Sequence, residues 1–256
     1  MRFYAGVDVG ATTTKAVIID DNRKVLGSFV RRSGTDLNSA ATQAFDAALA
    51  QAGITESSVQ TIIATGYGRR NVPFAHDSKT EISCHGSGCY HYFPRAITVV
   101  DIGGQDNKVI KLNEDGRRTG FRMNRKCAAG TGAFLEEIAH KLDIPIGELN
   151  ALAQSTDETA KIGSYCTVFT ATEILDRIRA GEPLDAMVRG LYDSIAKRIM
   201  EMDTLTGRVI MTGGVIAFND VVAELLSTGA KVEVQIAPHP QEMGAFGAAL
   251  FAQRSS

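Results

Sequence analysis

Only four of the 256 residues are cysteine and six are proline, and the 27 basic side chains nearly balance the 29 acidic ones. Four thiols (Cys84, Cys89, Cys127, Cys166) cannot staple a chain of this length, so a disulfide scaffold is excluded and free thiols or ligands remain. A formal net charge of -2 excludes the basic excess of a nucleic-acid binder and leaves no acidic tail. No stretch reaches about 18 uninterrupted apolar residues, so no membrane span is expected. The opening MRFYAGVDVG enters a strand-like run without a basic n-region or a cleavage site, which points to a cytoplasmic protein. Neither G-x-x-x-x-G-K-[ST] nor a G-x-G-x-x-G following a strand occurs, so a nucleotide would have to be held in some other way.

With 44% hydrophobic and 22% charged residues, the composition is that of a globular protein of one large domain or two smaller ones. YAGVDVGATTTKAVII (4–19) reads as strand, Gly/Thr turn and strand, and TVVDIGGQDNKVIKL (98–112) reads the same way. In each copy an aspartate (Asp8, Asp101) leaves the first strand and a lysine (Lys15, Lys108) follows seven residues later; Asp101 lies 93 residues after Asp8. Two copies at so long a period predict two similar domains facing each other across a cleft rather than a solenoid. Around the hairpins the periodicity predicts a helix ending at Gly53, a strand closing on Gly-Tyr-Gly near 66–68, and helices near 131–142, 145–154, 170–180 and 183–203. A strand at RVIMTGGV and a small-residue helix at PQEMGAFGAALFAQ, whose Gly244 and Gly247 admit close backbones, complete a mixed α/β order.

The two tips suit a nucleoside triphosphate: backbone N–H groups converge on phosphate oxygens, carboxylates face a hydrated Mg²⁺, and Gly10 and Gly103 remove side chains where phosphate approaches. IMTGGV (210–215) offers bare backbone for a base or ribose. Three glycine-marked turns in this order resemble the phosphate 1, phosphate 2 and adenosine motifs of the acetate and sugar kinase, actin and hexokinase superfamily. That resemblance implies a bilobal actin/hexokinase-like fold of two duplicated ribonuclease H-like domains with the nucleotide cleft between them. The divisions expected are 1–95, 96–240, and a C-terminal helix at 241–256 packing back toward the first lobe. It further implies that Asp8 and Asp101 hold metal-bound water and that Gln105 or Asp106 orients the attacking water. Gly10, Ala11, Thr12, Thr13, Thr14, Lys15, Gly103 and Gly104 would cradle phosphates, and Gly213, Gly214 and Gln241 would face the nucleotide.

Cys127 precedes AAGTG and Cys166 precedes TVFTATEIL, each just ahead of a predicted helix, where the backbone N–H groups favour a thiolate. A nucleophile, a metal ligand and a small buried residue all fit such a setting. Two ligands per chain cannot complete a four-thiolate 4Fe–4S site, but two chains on a two-fold axis can.

DVGATTTK, ATGYGR, EISCHG, DIGGQDNKVI, NRKCAAGTGAFLEEIA, SYCTVFTATEI, MTGGV and GAFGAAL together resemble the activator ATPases of 2-hydroxyacyl-CoA dehydratases, relatives of the ATPase subunits of benzoyl-CoA reductases. The resemblance implies a homodimer sharing one 4Fe–4S cluster through Cys127 and Cys166 of each subunit, with Cys84 and Cys89 structural. It implies ATP-driven electron transfer from ferredoxin or flavodoxin to an iron–sulfur acceptor: a dehydratase, a benzoyl-CoA reductase or a double-cubane cluster protein. Arg125, Ala133 and Thr170 to Thr172 depart from the family pattern beside the cluster motifs, on the face expected to meet the acceptor. The rival readings are a small-molecule kinase of the same superfamily without a cluster, and a nucleotide-switched binding module.

Overall fold

The computed structural model describes residues 1–124, 128–163 and 167–255. The chain forms two units, one of Met1–Ala96, Leu112–Thr119 and Ala237–Ser256, the other of Ile97–Lys111 and Gly120–Ile236.

The first unit begins with β1 (Phe3–Val9), β2 (Thr13–Asp20) and β3 (Val25–Arg32), followed by α1 (Leu37–Ala52), β4 (Val59–Thr65), β5 (Asp77–Ser78) and α2 (Glu81–Tyr92). The second contains β6 (Ile97–Ile102), β7 (Asn107–Leu112) up to Lys111, β8 (Arg118–Asn124) from Gly120, α3 (Gly132–Leu142), α4 (Leu149–Gln154), α5 (Thr167–Arg179) and α6 (Leu184–Met202). It continues with β9 (Arg208–Thr212), α7 (Gly214–Phe218), α8 (Val221–Ala230) and β10 (Glu233–Ile236), before α9 (Met243–Arg254) ends the chain in the first unit.

The sheets have one topology. Their orders are β3-β2-β1-β4-β5 and β8-β7-β6-β9-β10, so each strand of the first has a counterpart five strands later. β1 pairs antiparallel with β2 and parallel with β4, and β6 pairs parallel with β9. The four residues linking β6 to β7 are too few for a parallel crossover and make the second hairpin. The 93-residue repeat in the sequence is therefore the visible part of a longer one that includes β4 and β9.

Apart from Asp8 in β1 and Thr98 and Asp101 in β6, the central strands are apolar because both faces are covered. From Tyr4 to Val9 every residue of β1 is buried, and β6 is buried along its whole length. α1 begins at Asp36, whose carboxylate accepts from the Ser39 N–H at 3.0 Å, and ends at Gly53 in the left-handed conformation, as its sequence predicts. Its Ala41, Ala44, Phe45 and Ala48 pack with Val7, Val9, Ile18 and Ile62 in the first core. In the second core Phe134, Leu135 and Ile138 of α3 meet Leu191, Tyr192 and Ile195 of α6 and Val209 and Met211 of β9.

α2 and α9 pack together through absent side chains. A Cβ at Gly247 would overlap the carbonyl of Cys84, one at Gly88 would lie 2.8 Å from the Met243 carbonyl, and one at Gly6 would overlap the carbonyl of Ala245. α2 carries two interior glycines and reads poorly as a helix; burial of Ile82, Cys84, His85 and Cys89 beneath α9 offsets that cost. Replacing Gly247 by Ala should therefore destabilise the protein by about 1–3 kcal/mol or more through overpacking. Gly147→Ala, where nothing lies within 4 Å, should stay within about 0.5 kcal/mol; denaturant midpoints of the two variants test the contrast.

Candidate functional site

In the first unit, β1 delivers Asp8 to its penultimate position, 5% exposed. Strand register sets Asp8 opposite Lys15, and the Lys15 ammonium lies 3.3 Å from the Asp8 Oδ2. The tip between β1 and β2 is closed by the Gly10 N–H donating to the Thr13 carbonyl at 3.1 Å, and a Cβ on Gly10 would lie 3.4 Å from the Lys15 Nζ. The Thr12 carbonyl accepts from the Ser33 N–H at 2.9 Å, and Ala11 is exposed at the tip. Thr14 differs from the sequence expectation of a phosphate contact: its side chain is wholly buried and its hydroxyl is 2.9 Å from that of Ser33. Strand alternation is the reason, since Thr14 faces opposite to Thr13 and Lys15.

The second unit repeats this plan with a denser charge cluster. Lys108 is 3% exposed; its ammonium lies 3.0 Å from the Asp101 Oδ2 and 2.6 Å from the Asp106 Oδ1. The Gly103 N–H donates to the Asp106 carbonyl at 2.9 Å, and Gln105 is exposed at the tip.

Each carboxylate also faces a glycine on the neighbouring parallel strand. Asp8 stands beside Thr65 in register, and Asp101 beside Thr212. The next residues, Gly66 and Gly213, have φ of 88° and 104°, a region that favours glycine. A Cβ on Gly66 would overlap the Asp8 Oδ1, and one on Gly213 would lie 2.6 Å from the Asp101 Oδ1. The sequence reading assigned Gly213 and Gly214 and missed Gly66. The signal was present as the matching runs IIATG and VIMTG, which both end an apolar strand on Thr-Gly.

The turn at 103–106 is bonded to the segment that follows Cys127. The N–H groups of Gly132 and Ala133, at the start of α3, donate to the carbonyls of Gly103 and Gly104, both at 2.9 Å. The buried Asn107 amide donates to the Gly130 carbonyl at 2.9 Å. The bonds from Gly132 and Ala133 satisfy N–H groups that a helix start otherwise leaves orphaned.

Residues 5–252 match the BadF/BadG/BcrA/BcrD ATPase family. The chain belongs to this ATPase family. It is 39% identical over 257 residues to the activator of lactoyl-CoA dehydratase of Anaerotignum propionicum, spanning 99% of this chain and 98% of that protein. Component A of the Acidaminococcus fermentans (R)-2-hydroxyglutaryl-CoA dehydratase is similar in structure, with a TM-score of 0.94 and 34% identity over 100% of this chain and 99% of the other. The activator of the 2-hydroxyisocaproyl-CoA dehydratase from Clostridium difficile, solved with bound ADPNP, gives 0.92 and 31% over 99% and 95%. At the level of fold alone, a ROK family glucokinase from Streptomyces griseus gives 0.60 at 14% identity over 98% and 99%, so this member of the family has the actin/hexokinase-like α/β fold.

Of the remaining expected residues, Gln241 sits in the turn before α9, and Gly214 opens α7. Cys127 and Cys166 lie outside the described residues, as does Arg125. Cys84 and Cys89 are both fully buried. Burial pushes the Cys84 thiol up from 9.0 to about 12, and the Asp8 charge acts in the same direction. Such a thiol is inert while the protein is folded. Iodoacetamide at neutral pH should label Cys84 and Cys89 only after denaturation, as mass spectrometry of the alkylated peptides would read. Because the folded thiol holds its proton more tightly than the unfolded one, its stabilising contribution is complete below pH 9.0 and is lost as the pH rises toward 12.

Lys108→Met would leave Asp101 and Asp106 without their shared cation. The expected cost is about 3–5 kcal/mol, measured by chemical denaturation.

Proposed function

We propose that this ATPase couples ATP hydrolysis to low-potential, one-electron transfer toward an iron–sulfur partner enzyme of the 2-hydroxyacyl-CoA dehydratase type, working as a homodimer. The observation that carries the reading is the direct bonding of α3 to the 103–106 turn. Any change in that turn on nucleotide binding or hydrolysis is felt at Gly132 and Ala133, five and six residues after Cys127.

In this reading Gly10 to Thr13, Lys15 and Gly103 with Gly104 bind the phosphates, Asp8 and Asp101 orient metal-bound water, and Gln105 and Asp106 stand beside the attacking water. Gly213, Gly214 and Gln241 contact the nucleoside. The glycine geometry suits these roles, because Gly10, Gly66, Gly103 and Gly213 leave the surroundings of the two carboxylates bare. ADPNP bound by the Clostridium difficile relative favours the same ligand class here.

The donor set fits a shared cluster. Among the described residues no three His, Cys, Asp or Glu side chains gather as a metal site. Cys84 and Cys89 are committed to the core, so Cys127 and Cys166 are the thiols left to hold a 4Fe–4S cluster, two from each copy. When bound, the cluster supplies a one-electron reductant. The chain's own residues hold and orient it: α5 starts one position after Cys166, and α3 five after Cys127, so helix N-termini follow both ligands.

A homodimer is further supported by α5, where Phe169, Leu175 and Ile178 are 71%, 51% and 43% exposed. The exposed ring of Phe169, three residues after Cys166, suits contact with a second copy. Ferredoxin or flavodoxin is the reductant consistent with a one-electron centre.

Anaerobic purification tests the reading. The wild type should be brown, contain iron and bleach with dithionite, whereas Cys127→Ser and Cys166→Ser should lose iron and electron transfer but still bind ATP. Phe169→Asp should shift the protein toward monomer in size-exclusion chromatography. A colourless, iron-free wild type that phosphorylates a small hydroxyl compound would instead establish the kinase alternative.

A further inference from the structure

Asp8 and Asp101 occupy equivalent positions, yet their surroundings differ on one side. The second copy meets its lysine with an additional carboxylate, Asp106. The first has a histidine nearby instead. His85, in the second turn of α2, is 6% exposed. A Cβ built on Gly244, the second residue of α9, would lie 2.9 Å from the His85 Nε2 and 2.9 Å from the Asp8 Oδ2. Imidazole and carboxylate thus face each other across the bare Cα of Gly244, with the Lys15 ammonium on the same carboxylate oxygen.

A buried imidazole beside a buried carboxylate is a polar investment that packing alone does not demand, since α2 and α9 already meet through Gly88 and Gly247. Three elements have to be positioned for the arrangement: β1 for Asp8, α2 for His85, and α9 for the glycine that leaves room. The Cys84 thiol, one residue before His85, is raised partly by the charge of Asp8, which places this turn of α2 within the carboxylate's field.

We infer that His85 is a positioning residue for ATP hydrolysis: acting through Asp8, it fixes the orientation of the carboxylate shared with Lys15. The inference rests on the reading that Asp8 serves the nucleotide reaction. A side chain in this supporting role acts on turnover once the nucleotide is bound, not on how tightly the nucleotide is held.

The test is steady-state hydrolysis of magnesium ATP by the intact protein and its His85→Ala, His85→Gln and Gly244→Ala variants, with thermal unfolding of each. His85→Ala should lower kcat by roughly 10- to 100-fold with KM little changed. His85→Gln, which restores a polar group near the position of Nε2, should recover much of that loss. Gly244→Ala, whose methyl group would crowd the His85 Nε2 and the Asp8 Oδ2 alike, should also lower kcat. Wild-type kcat in folded His85→Ala, or equal losses in the Ala and Gln variants, would overturn the inference and leave His85 as core packing. If His85→Ala does not fold, His85→Leu, which keeps the volume and removes the polar ring, decides: unchanged kcat overturns the inference, and lowered kcat at unchanged KM upholds it. A wild type that hydrolyses no ATP overturns both this inference and the functional reading beneath it, whereas hydrolysis insensitive to these variants overturns the inference alone.

Discussion

The structure is organised around a carboxylate at the end of a central strand, held by a lysine on the antiparallel neighbour and faced by a glycine at the end of the parallel neighbour. Asp8 with Lys15 and Gly66, and Asp101 with Lys108 and Gly213, are two instances of it. Burying a carboxylate is costly unless a cation answers it, and a buried pair stabilises little beyond that compensation. What the arrangement supplies is a fixed anionic group with its oxygens aimed at bare backbone. The central orders β2-β1-β4 and β7-β6-β9 meet this need, because the aspartate, lysine and glycine come from three adjacent strands.

Around this shared plan the two units diverge in ways that suit different tasks. The first supports Asp8 with α2 and α9, whose packing is so close that glycines carry it. The second ties its hairpin turn to the start of α3 through the carbonyls of Gly103 and Gly104. Backbone hydrogen bonds are directional, and a turn that shifts must carry its partners with it or break them. In the proposed reading, this is the element through which the 103–106 turn acts on the segment that follows Cys127.

Much of this was legible in the sequence where the signal was local. The hairpins, the Asp–Lys spacing, α1 with its Gly53 terminus and the long α6 follow from periodicity and end signals within about 20 residues. α2, the strand β3 and the short strand β10 were not legible. α2 holds Gly88 because α9, more than 150 residues later in the chain, packs on it, and β10 has only four residues beside β9. The pairing of Gly66 with Gly213 escaped for a related reason: each reads as an ordinary turn until the strand beside it is known.

The sequence by itself determined the duplicated α/β plan, the identity of the charged residues and the availability of Cys127 and Cys166 as thiols, because these depend on residue type and spacing. Only the tertiary structure decided which oxygen of Asp8 meets Lys15, that Thr14 turns inward, and that His85 faces Asp8 across Gly244. Those relations join residues from strands and helices far apart in the chain, and they arise from side-chain volume, present or absent, at contacts that no local pattern records.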